Sequence, residues 1–212
     1  VMPDNSTQER IQTMQAFGAR VILTPASKTI EYSRTIADQW AKEKGYFQLD
    51  QFANDDNWKA HYHSTGPEIW KDTEGKITHF VSAMGTTGTI MGVSKYLKEK
   101  NPKVNIVGVQ PAEGTSIPGI RRWSPAFLPK IFHPQWVDRT IDIDQEAAKK
   151  QTIKNAKERG IFGGLSAGGA TAAALQIARQ IQEGVIVCII CDRGDRYLSS
   201  GLFNIEPPTL VN

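Results

Sequence analysis

The sequence predicts an α/β protein with a mostly parallel sheet flanked by helices, together with part of a second, smaller α/β domain. Short apolar runs rich in valine and isoleucine alternate with segments whose apolar residues recur at helical spacing. The apolar runs are nearly continuous, which is typical of strands that are buried on both faces. Strands of this kind, alternating with helices, indicate a parallel sheet covered on both sides.

The first 57 residues predict the remaining part of the small domain. Ser6 and Glu9 have the spacing of a capping box and predict a helix that ends at Gly18. RVILT predicts a strand, TIEYSRTIADQWAKEKG predicts a second helix that ends at Gly45, and YFQLD predicts another strand. The polar, turn-rich run QFANDDNWKAHYHSTG predicts a crossing between domains, so we place the boundary near Asn57 and assign 1–57 to the small domain.

Residues 58–212 predict the large domain, which continues the alternation of strands and helices. Strands are expected in ITHFVSA, VNIVGVQP, RTIDI and GVIVCII. Helices are expected around residues 67–72, 88–100, 144–159 and 167–182. A long loop rich in proline and glycine separates the second of these strands from the third.

Composition excludes several classes of protein. Lysine and arginine number 25 against 22 aspartates and glutamates, a formal net charge of +3, and they are scattered along the chain. This disfavours binding to nucleic acid or to a membrane surface. The sequence has no run of roughly eighteen apolar residues that could span a bilayer, and its two cysteines, Cys188 and Cys191, are expected as thiols in a reducing compartment. We therefore expect a soluble, cytoplasmic protein.

A run of glycines and threonines joins ITHFVSA to the helix that follows it, and consists of Gly85, Thr86, Thr87, Gly88 and Thr89. Backbone amides and hydroxyls that converge at a helix N-terminus bind phosphate. The run matches neither the dinucleotide fingerprint nor the P-loop, so a nucleoside triphosphate site is not expected. A tight turn without any ligand remains an alternative.

A second run, GLSAGG, centres on Ser166 and matches the nucleophile-elbow pattern of hydrolases. That fold requires a histidine after the serine, whereas the four histidines all precede it, at positions 61, 63, 79 and 133. An esterase is therefore disfavoured but stays open. The simplest alternative for Ser166 is helix capping.

Five stretches together resemble the cysteine synthases, or O-acetylserine sulfhydrylases, of the fold-type II pyridoxal-phosphate family, and most of all their B type. The stretches are GTTGT, GLSAGG, QFANDDNWKAHYHSTGPEIW, PGIRRW and ICDRGDRYLS. The resemblance extends from Met2 to about Phe203, with the motifs in the order of the family.

The resemblance implies a set of site residues for pyridoxal 5′-phosphate and the substrates. Ser166 would give a neutral hydrogen bond to the pyridine nitrogen, and Gln51 would lie beside the substrate carboxylate. Arg121 and Arg122 would face an anionic second substrate such as thiosulfate, for which planar guanidinium donors are suited. The 5′-phosphate would be held by Gly85, Thr86, Thr87, Gly88 and Thr89.

The implied activity is the replacement of the acetate of O-acetylserine by sulfide or thiosulfate, giving cysteine or S-sulfocysteine. The family also implies a homodimer. Two alternatives remain: a relative of cystathionine β-synthase or serine/threonine dehydratase, and a non-catalytic protein that binds a phosphate-bearing ligand.

Two family motifs do not occur in this sequence. The Schiff-base lysine of the family lies in an Asn-Pro-x-Gly-Ser-Val-Lys-Asp-Arg motif, and the substrate-carboxylate loop lies in a Thr-Ser-Gly-Asn-Thr-Gly motif. Both precede the position at which this sequence begins in the family pattern, so we expect an N-terminally truncated chain that has no catalytic lysine and is inactive alone.

Overall fold

The computed structural model describes residues 1–203, and these fall into two compact units. One unit comprises Val1–Gln48 together with the segment that begins at Arg193, and the other comprises Leu49–Asp192. Within the described residues, no helix has the length and apolar character that a membrane crossing requires.

Within residues 1–203, the first unit contains a two-stranded parallel sheet and two α-helices. The elements are β1 (Met2–Pro3), α1 (Gln8–Ala16), β2 (Leu23–Thr24) and α2 (Thr29–Lys44). The predicted end of the second helix is confirmed, because Gly45 has a left-handed conformation with φ +67°. The division into a small domain of 1–57 and a large domain of 58–212 stays a prediction.

The predicted capping box of α1 is wrong. The helix begins after Thr7, which makes no side-chain capping bond. The carboxylate of Glu9 instead accepts hydrogen bonds of 2.7 Å from the backbone amide and the hydroxyl of Ser199. The bond from the Ser199 hydroxyl is the largest of the causes that lower the pKa of Glu9. A contact far away in sequence has therefore replaced the local one.

The strand predicted in YFQLD is also wrong, since residues 46–50 have no regular structure. Tyr46, Phe47 and Leu49 are 59%, 91% and 71% exposed, respectively. Their apolar character led to the prediction, but no neighbouring strand in the described residues pairs with them.

The second unit is built on a four-stranded sheet in the order β5-β4-β3-β6, with every neighbouring pair parallel. The parallel sheet predicted from the sequence is thus confirmed. Its strands are β3 (Ile77–Ala83), β4 (Asn105–Pro111), β5 (Arg139–Ile143) and β6 (Val185–Cys188).

Five helices accompany this sheet: α3 (Asp56–His63), α4 (Thr65–Asp72), α5 (Gly88–Lys100), α6 (Gln145–Arg159) and α7 (Leu165–Ala178). Of these, α3 lies in the polar run that the sequence predicts to be a crossing. The caps of α6 follow its sequence, because Asp144 accepts a 2.7 Å bond from the amide of Ala147 and Gly160 ends the helix with φ +66°.

Apolar packing fixes the position of α5 on the sheet. Phe80 of β3, Ile106 of β4 and Leu97 of α5 are fully buried in one cluster. Burying a large apolar side chain contributes roughly 1.5–3 kcal/mol. This cluster therefore holds the N-terminus of α5 at the end of β3.

The chain order places α5 and α7 on opposite faces of the sheet. The connection β3–α5–β4 runs toward one edge, and the route from β5 through α6 and α7 to β6 runs back toward the other. Because parallel crossovers are right-handed, helices on the two routes cover different faces. The winding direction changes at β3, and ligands of open α/β sheets bind beyond the carboxyl ends of the strands at such a point.

Candidate functional site

The turn between β3 and α5 is an unusual piece of backbone. Thr87, the residue before the helix, has a left-handed conformation with φ +74°. This conformation is costly for a β-branched residue and marks functional turns. The amide of Gly88 donates to the hydroxyl of Thr86 at 3.3 Å, and the first amides of any helix have no intrahelical carbonyl partner. The turn therefore places threonine hydroxyls beside backbone amides that have no partner within the helix.

The glycines of this turn are required by close packing. A Cβ on Gly85 would lie 2.9 Å from the carbonyl oxygen of Gly119, and a Cβ on Gly88 would lie 1.9 Å from the side-chain oxygen of Asn57. The glycines alone would thus be explained by a tight turn without a ligand.

Thr87 distinguishes a ligand site from a plain turn. It is only 4% exposed, and its side-chain oxygen has no hydrogen-bond partner within the part of the chain that the structure describes. A buried hydroxyl without a partner costs free energy and calls for an explanation. It lines a cavity of about 260 Å³. Three threonine hydroxyls and the amides of a helix N-terminus are a donor set that fits a phosphate group.

Ser166 lies inside the first turn of α7 rather than at its cap. The cap is Gly164, and the carboxylate of Asp192 accepts bonds from the amides of Gly164 and Ala167 at 2.9 and 3.2 Å. Helix capping by Ser166, the simplest alternative from the sequence, is therefore wrong.

The hydroxyl of Ser166 is buried, with the residue 3% exposed, and its partner is a thiol. The Sγ of Cys191 donates to the Oγ of Ser166 at 3.2 Å. Desolvation raises the pKa of Cys191, so the thiol keeps its proton at neutral pH. Because the partner is this thiol and not a histidine, the hydrolase reading of GLSAGG loses its general base.

Gly119 connects the two helix N-termini. Its carbonyl lies against Gly85, and a Cβ on Gly119 would lie 2.9 Å from the Oγ of Ser166. Its φ of +89° is one that glycine readily adopts. The turn after β3 and the start of α7 are thus neighbours of the same glycine.

The two arginines of PGIRRW have different surroundings. Arg122 donates to the carbonyl of Pro111 at 3.0 Å and to the carboxylate of Asp142 at 2.5 Å. Arg121 lines the same cavity as Thr87, and its backbone amide donates to the carbonyl of Met84 at 2.8 Å. The two arginines, which the sequence treats as equivalent, therefore differ in their contacts.

Gln51 is exposed, and its carbonyl accepts a 2.7 Å bond from Asn57. The next residue, Phe52, packs edge-on against Trp123, with ring centroids 5.4 Å apart. Trp123 in turn donates from its indole nitrogen to the carbonyl of Gly85 at 2.8 Å. These contacts connect the segment of Gln51 to the turn after β3.

Two residues of α3 that touch this turn were not found from the sequence. Asn57 donates to the hydroxyl of Thr86 at 3.1 Å, and a ring nitrogen of His61 lies 3.2 Å from the hydroxyl of Thr89. They are four residues apart and so share one face of a helix, a signal that is visible only once α3 is recognised as a helix. Among the described residues there is no cluster suited to hold a metal ion.

The residues Gly85 to Thr89 form a cradle of donors at the end of β3, the switch point of the parallel sheet, and Ser166 has a buried hydroxyl at the start of α7. An arrangement of this kind suits a phosphate-bearing cofactor. Residues 1–192 match the family described as pyridoxal-phosphate dependent enzymes. The chain belongs to this family, and its relatives within the family include cysteine synthases.

The relatives are similar over nearly the whole chain. It is 57% identical to cysteine synthase B of Pseudomonas aeruginosa over 96% of its length, and 52% identical to cysteine synthase B of Escherichia coli over 97%. It spans 68% of the length of each. The solved structure of O-acetylserine sulfhydrylase isoform 3 from Entamoeba histolytica has a TM-score of 0.84 and 36% identity, and the match covers 99% of this chain and 66% of that one. The fold is therefore that of fold-type II pyridoxal-phosphate enzymes.

Proposed function

We propose that this chain is the cofactor-binding part of an enzyme that replaces the acetate of O-acetylserine with sulfide or thiosulfate. The products would be cysteine and S-sulfocysteine, respectively. The cysteine synthases to which the chain is similar support the general activity. The observation that carries the proposal is the buried hydroxyl of Thr87 at the end of β3, which has no hydrogen-bond partner among the described residues.

The cofactor assignment rests on this donor set. Pyridoxal 5′-phosphate, when bound, supplies an electron sink for the α-carbon of an amino-acid substrate. Its phosphate would be held by Gly85, Thr86, Thr87, Gly88 and Thr89.

Ser166 would face the pyridine nitrogen with a neutral donor. A hydroxyl oxygen accepts through its lone pairs and donates through one hydrogen. Since the thiol of Cys191 already occupies an acceptor position on Ser166, the O–H of Ser166 is left to donate. A neutral donor leaves the ring unprotonated, which favours elimination at the β-carbon over transamination.

For the substrates, Gln51 would lie beside the carboxylate of O-acetylserine. Arg121 is proposed to face an anionic sulfur donor, because it lines the cavity that also contains Thr87. Arg122 was also predicted for this role. Its bonds to Pro111 and Asp142 favour a structural one.

We further propose that the chain as given does not carry out the reaction alone. None of its lysines lies in the Asn-Pro-x-Gly-Ser-Val-Lys-Asp-Arg motif of the family. Within the proposal, the intact enzyme is a cytoplasmic homodimer that acts on small molecules, without nucleic acid or membrane partners.

The proposal is tested by extending the chain at its N-terminus with the corresponding segment of the Pseudomonas aeruginosa relative. The extended protein should form cysteine from O-acetylserine and sulfide, while the chain alone should form none above a blank. Arg121→Ala should reduce kcat/KM for thiosulfate roughly ten- to a hundredfold more than for sulfide, the range expected for a hydrogen bond to a charged group. Arg122→Ala, the matched control, should affect both donors equally.

Product analysis separates the alternatives. Cystathionine from O-acetylserine or serine with homocysteine would favour the cystathionine β-synthase reading, and a keto acid from serine or threonine would favour the dehydratase reading. An extended protein that binds the cofactor but converts none of these substrates would favour the non-catalytic binding protein.

A further inference from the structure

The start of α5 is in unusually close contact with α3. A Cβ on Gly88 would lie 1.9 Å from the side-chain oxygen of Asn57, and a Cβ on Gly92 would lie 2.1 Å from the backbone oxygen of Trp58. Gly88 and Gly92 are about one helical turn apart and so face the same neighbour. The two backbones can therefore approach closely enough for short polar side chains of α3 to reach the turn after β3.

Asn57 and the backbone amide of Gly88 together fill the acceptor positions of the Thr86 hydroxyl. The side-chain NH₂ group of Asn57 donates to the Oγ1 of Thr86 at 3.1 Å and to the carbonyl of Gln51 at 2.7 Å. The amide of Gly88 donates to the same Oγ1 at 3.3 Å. A hydroxyl oxygen has two acceptor positions and one hydrogen to donate. With both acceptor positions taken, the only role left to Thr86 is to donate.

His61 lies between two threonines. Its Nδ1 is 2.9 Å from the Oγ1 of Thr65, and its Nε2 is 3.2 Å from the Oγ1 of Thr89. Burial lowers the pKa of His61, so the ring is neutral at neutral pH and carries one donor and one acceptor. If the Thr65 hydroxyl donates to Nδ1, then the proton of the ring is on Nε2 and points at Thr89.

We propose that Asn57 and His61 are positioning residues of the phosphate cradle, which orient the hydroxyls of Thr86 and Thr89 to donate to the bound phosphate. Each occupies the acceptor side of its threonine, so that the hydrogen points away from α3. Thr86 and Thr89 are only half-buried, which leaves room for a ligand oxygen. The proposal rests on the proposed cofactor site. It adds that the neutral ring of His61 carries its proton on Nε2.

The test compares two ligands that differ only in the phosphate. Pyridoxine 5′-phosphate and pyridoxine have the same ring but no aldehyde, so neither forms a Schiff base with surface lysines. Their dissociation constants for the purified 212-residue chain are measured by calorimetry or equilibrium dialysis. The ratio of the two constants isolates the contribution of the phosphate, which a general loss of folding would not change selectively.

His61→Leu should weaken the binding of pyridoxine 5′-phosphate about tenfold and leave the binding of pyridoxine unchanged. The reason is that the Thr89 hydroxyl would no longer be oriented to donate to the charged phosphate. His61→Gln, whose amide can still donate from about the position of Nε2, should recover most of the loss. His79→Leu is the matched control, because His79 is also a half-buried histidine with a threonine partner, Thr78 at 2.9 Å, but lies in the first part of β3. It should leave the ratio unchanged.

A double-mutant cycle with Thr89→Val connects the effect to the threonine. If His61 acts through Thr89, then His61→Leu has no further effect on the ratio in the Thr89→Val background. Additive losses, or a ratio that His61→Leu does not change, would overturn the proposal.

Asn57→Asp replaces the side-chain donor by a charged acceptor. It should likewise weaken only the binding of pyridoxine 5′-phosphate and not that of pyridoxine. An unchanged ratio would remove Asn57 from the proposal. Failure of the unsubstituted chain to bind pyridoxine 5′-phosphate more tightly than pyridoxine would instead refute the cofactor site itself, and the positioning role with it.

Discussion

At the scale of single residues, the proposed cofactor contacts include hydroxyls that already accept a hydrogen bond or that have no partner among the described residues. Ser166 receives a bond from Cys191, Thr86 receives bonds from two amides, and Thr87 has no partner among the described residues. A hydroxyl in this state is a directional donor. On the proposed account, these hydroxyls are therefore the donors for the phosphate and for an unprotonated ring nitrogen.

Ser166→Ala should weaken binding of pyridoxine 5′-phosphate to the chain up to about tenfold, because one neutral hydrogen bond of about 0.5–1.5 kcal/mol is lost. Ser94→Ala is a suitable control, since Ser94 is a fully buried serine of α5 that donates to the carbonyl of Met91 at 3.2 Å. It should lower thermal stability without changing affinity. Equal affinities of wild type and Ser166→Ala would remove the serine from the site. Turnover of a p-nitrophenyl ester that Ser166→Ala abolishes would restore the hydrolase reading.

The sequence predicts the position of these residues better than their contacts. Gly85 to Thr89 lie at the junction of β3 and α5, where the sequence predicts them. Ser166 lies in the first turn of α7, which follows an irregular segment after α6 and not a strand. Their partners come from distant segments, as with Cys191, Asn57 and His61. No local pattern relates a threonine to a histidine that precedes it by 28 positions.

At the scale of elements, the close contact of α3 with α5 explains why Gly92 occupies the middle of a helix, where glycine is otherwise unfavourable by roughly 1 kcal/mol relative to alanine. A methyl group there would meet the backbone oxygen of Trp58 and the Cβ of His61 at 2.1 and 2.7 Å. Backbone cannot give way as the end of a flexible side chain can. The glycine is thus a requirement of packing.

Gly92→Ala should therefore lower the free energy of unfolding by about 1–3 kcal/mol, the range expected for overpacking, in place of the gain expected for a helix interior. Urea denaturation followed by circular dichroism measures this. Gly160→Ala is the control, because Gly160 ends α6 with φ +66° and a Cβ there would meet nothing within 4 Å. It should show only the smaller penalty of about 1 kcal/mol for a left-handed residue. A Gly92→Ala variant as stable as wild type would show that the two helices can separate at no cost.

Elements of the sheet were predicted well, whereas α3 and the segment YFQLD were not. The strands of the second unit have long apolar runs, which only a buried sheet accommodates. The polar residues of α3 contact a turn rather than a core, so its apolar periodicity is weak. YFQLD has the composition of a strand, but its side chains are exposed in this structure, and composition cannot supply a pairing partner.

At the scale of the whole molecule, the proposed cofactor site lies in the second unit, where the winding direction of the sheet changes, while none of the lysines matches the family motif of the Schiff-base residue. The chain spans 68% of the length of its curated relatives from Pseudomonas aeruginosa and Escherichia coli. On the proposed account, the site of this chain holds the phosphate and the ring by hydrogen bonds alone. Binding should then be specific but reversible.

The most direct test of the account is to incubate the purified chain with pyridoxal 5′-phosphate, measure binding, and then desalt one half and treat the other half with borohydride before peptide mapping. We predict saturable binding, complete loss of the cofactor on desalting, and no lysine modified in a stoichiometric amount, because a Schiff base requires a positioned amine. Absence of saturable binding would contradict the proposed phosphate site at Gly85 to Thr89. Cofactor absorbance that survives desalting, with a single lysine fully modified, would contradict the claim that this chain holds the cofactor without a covalent bond.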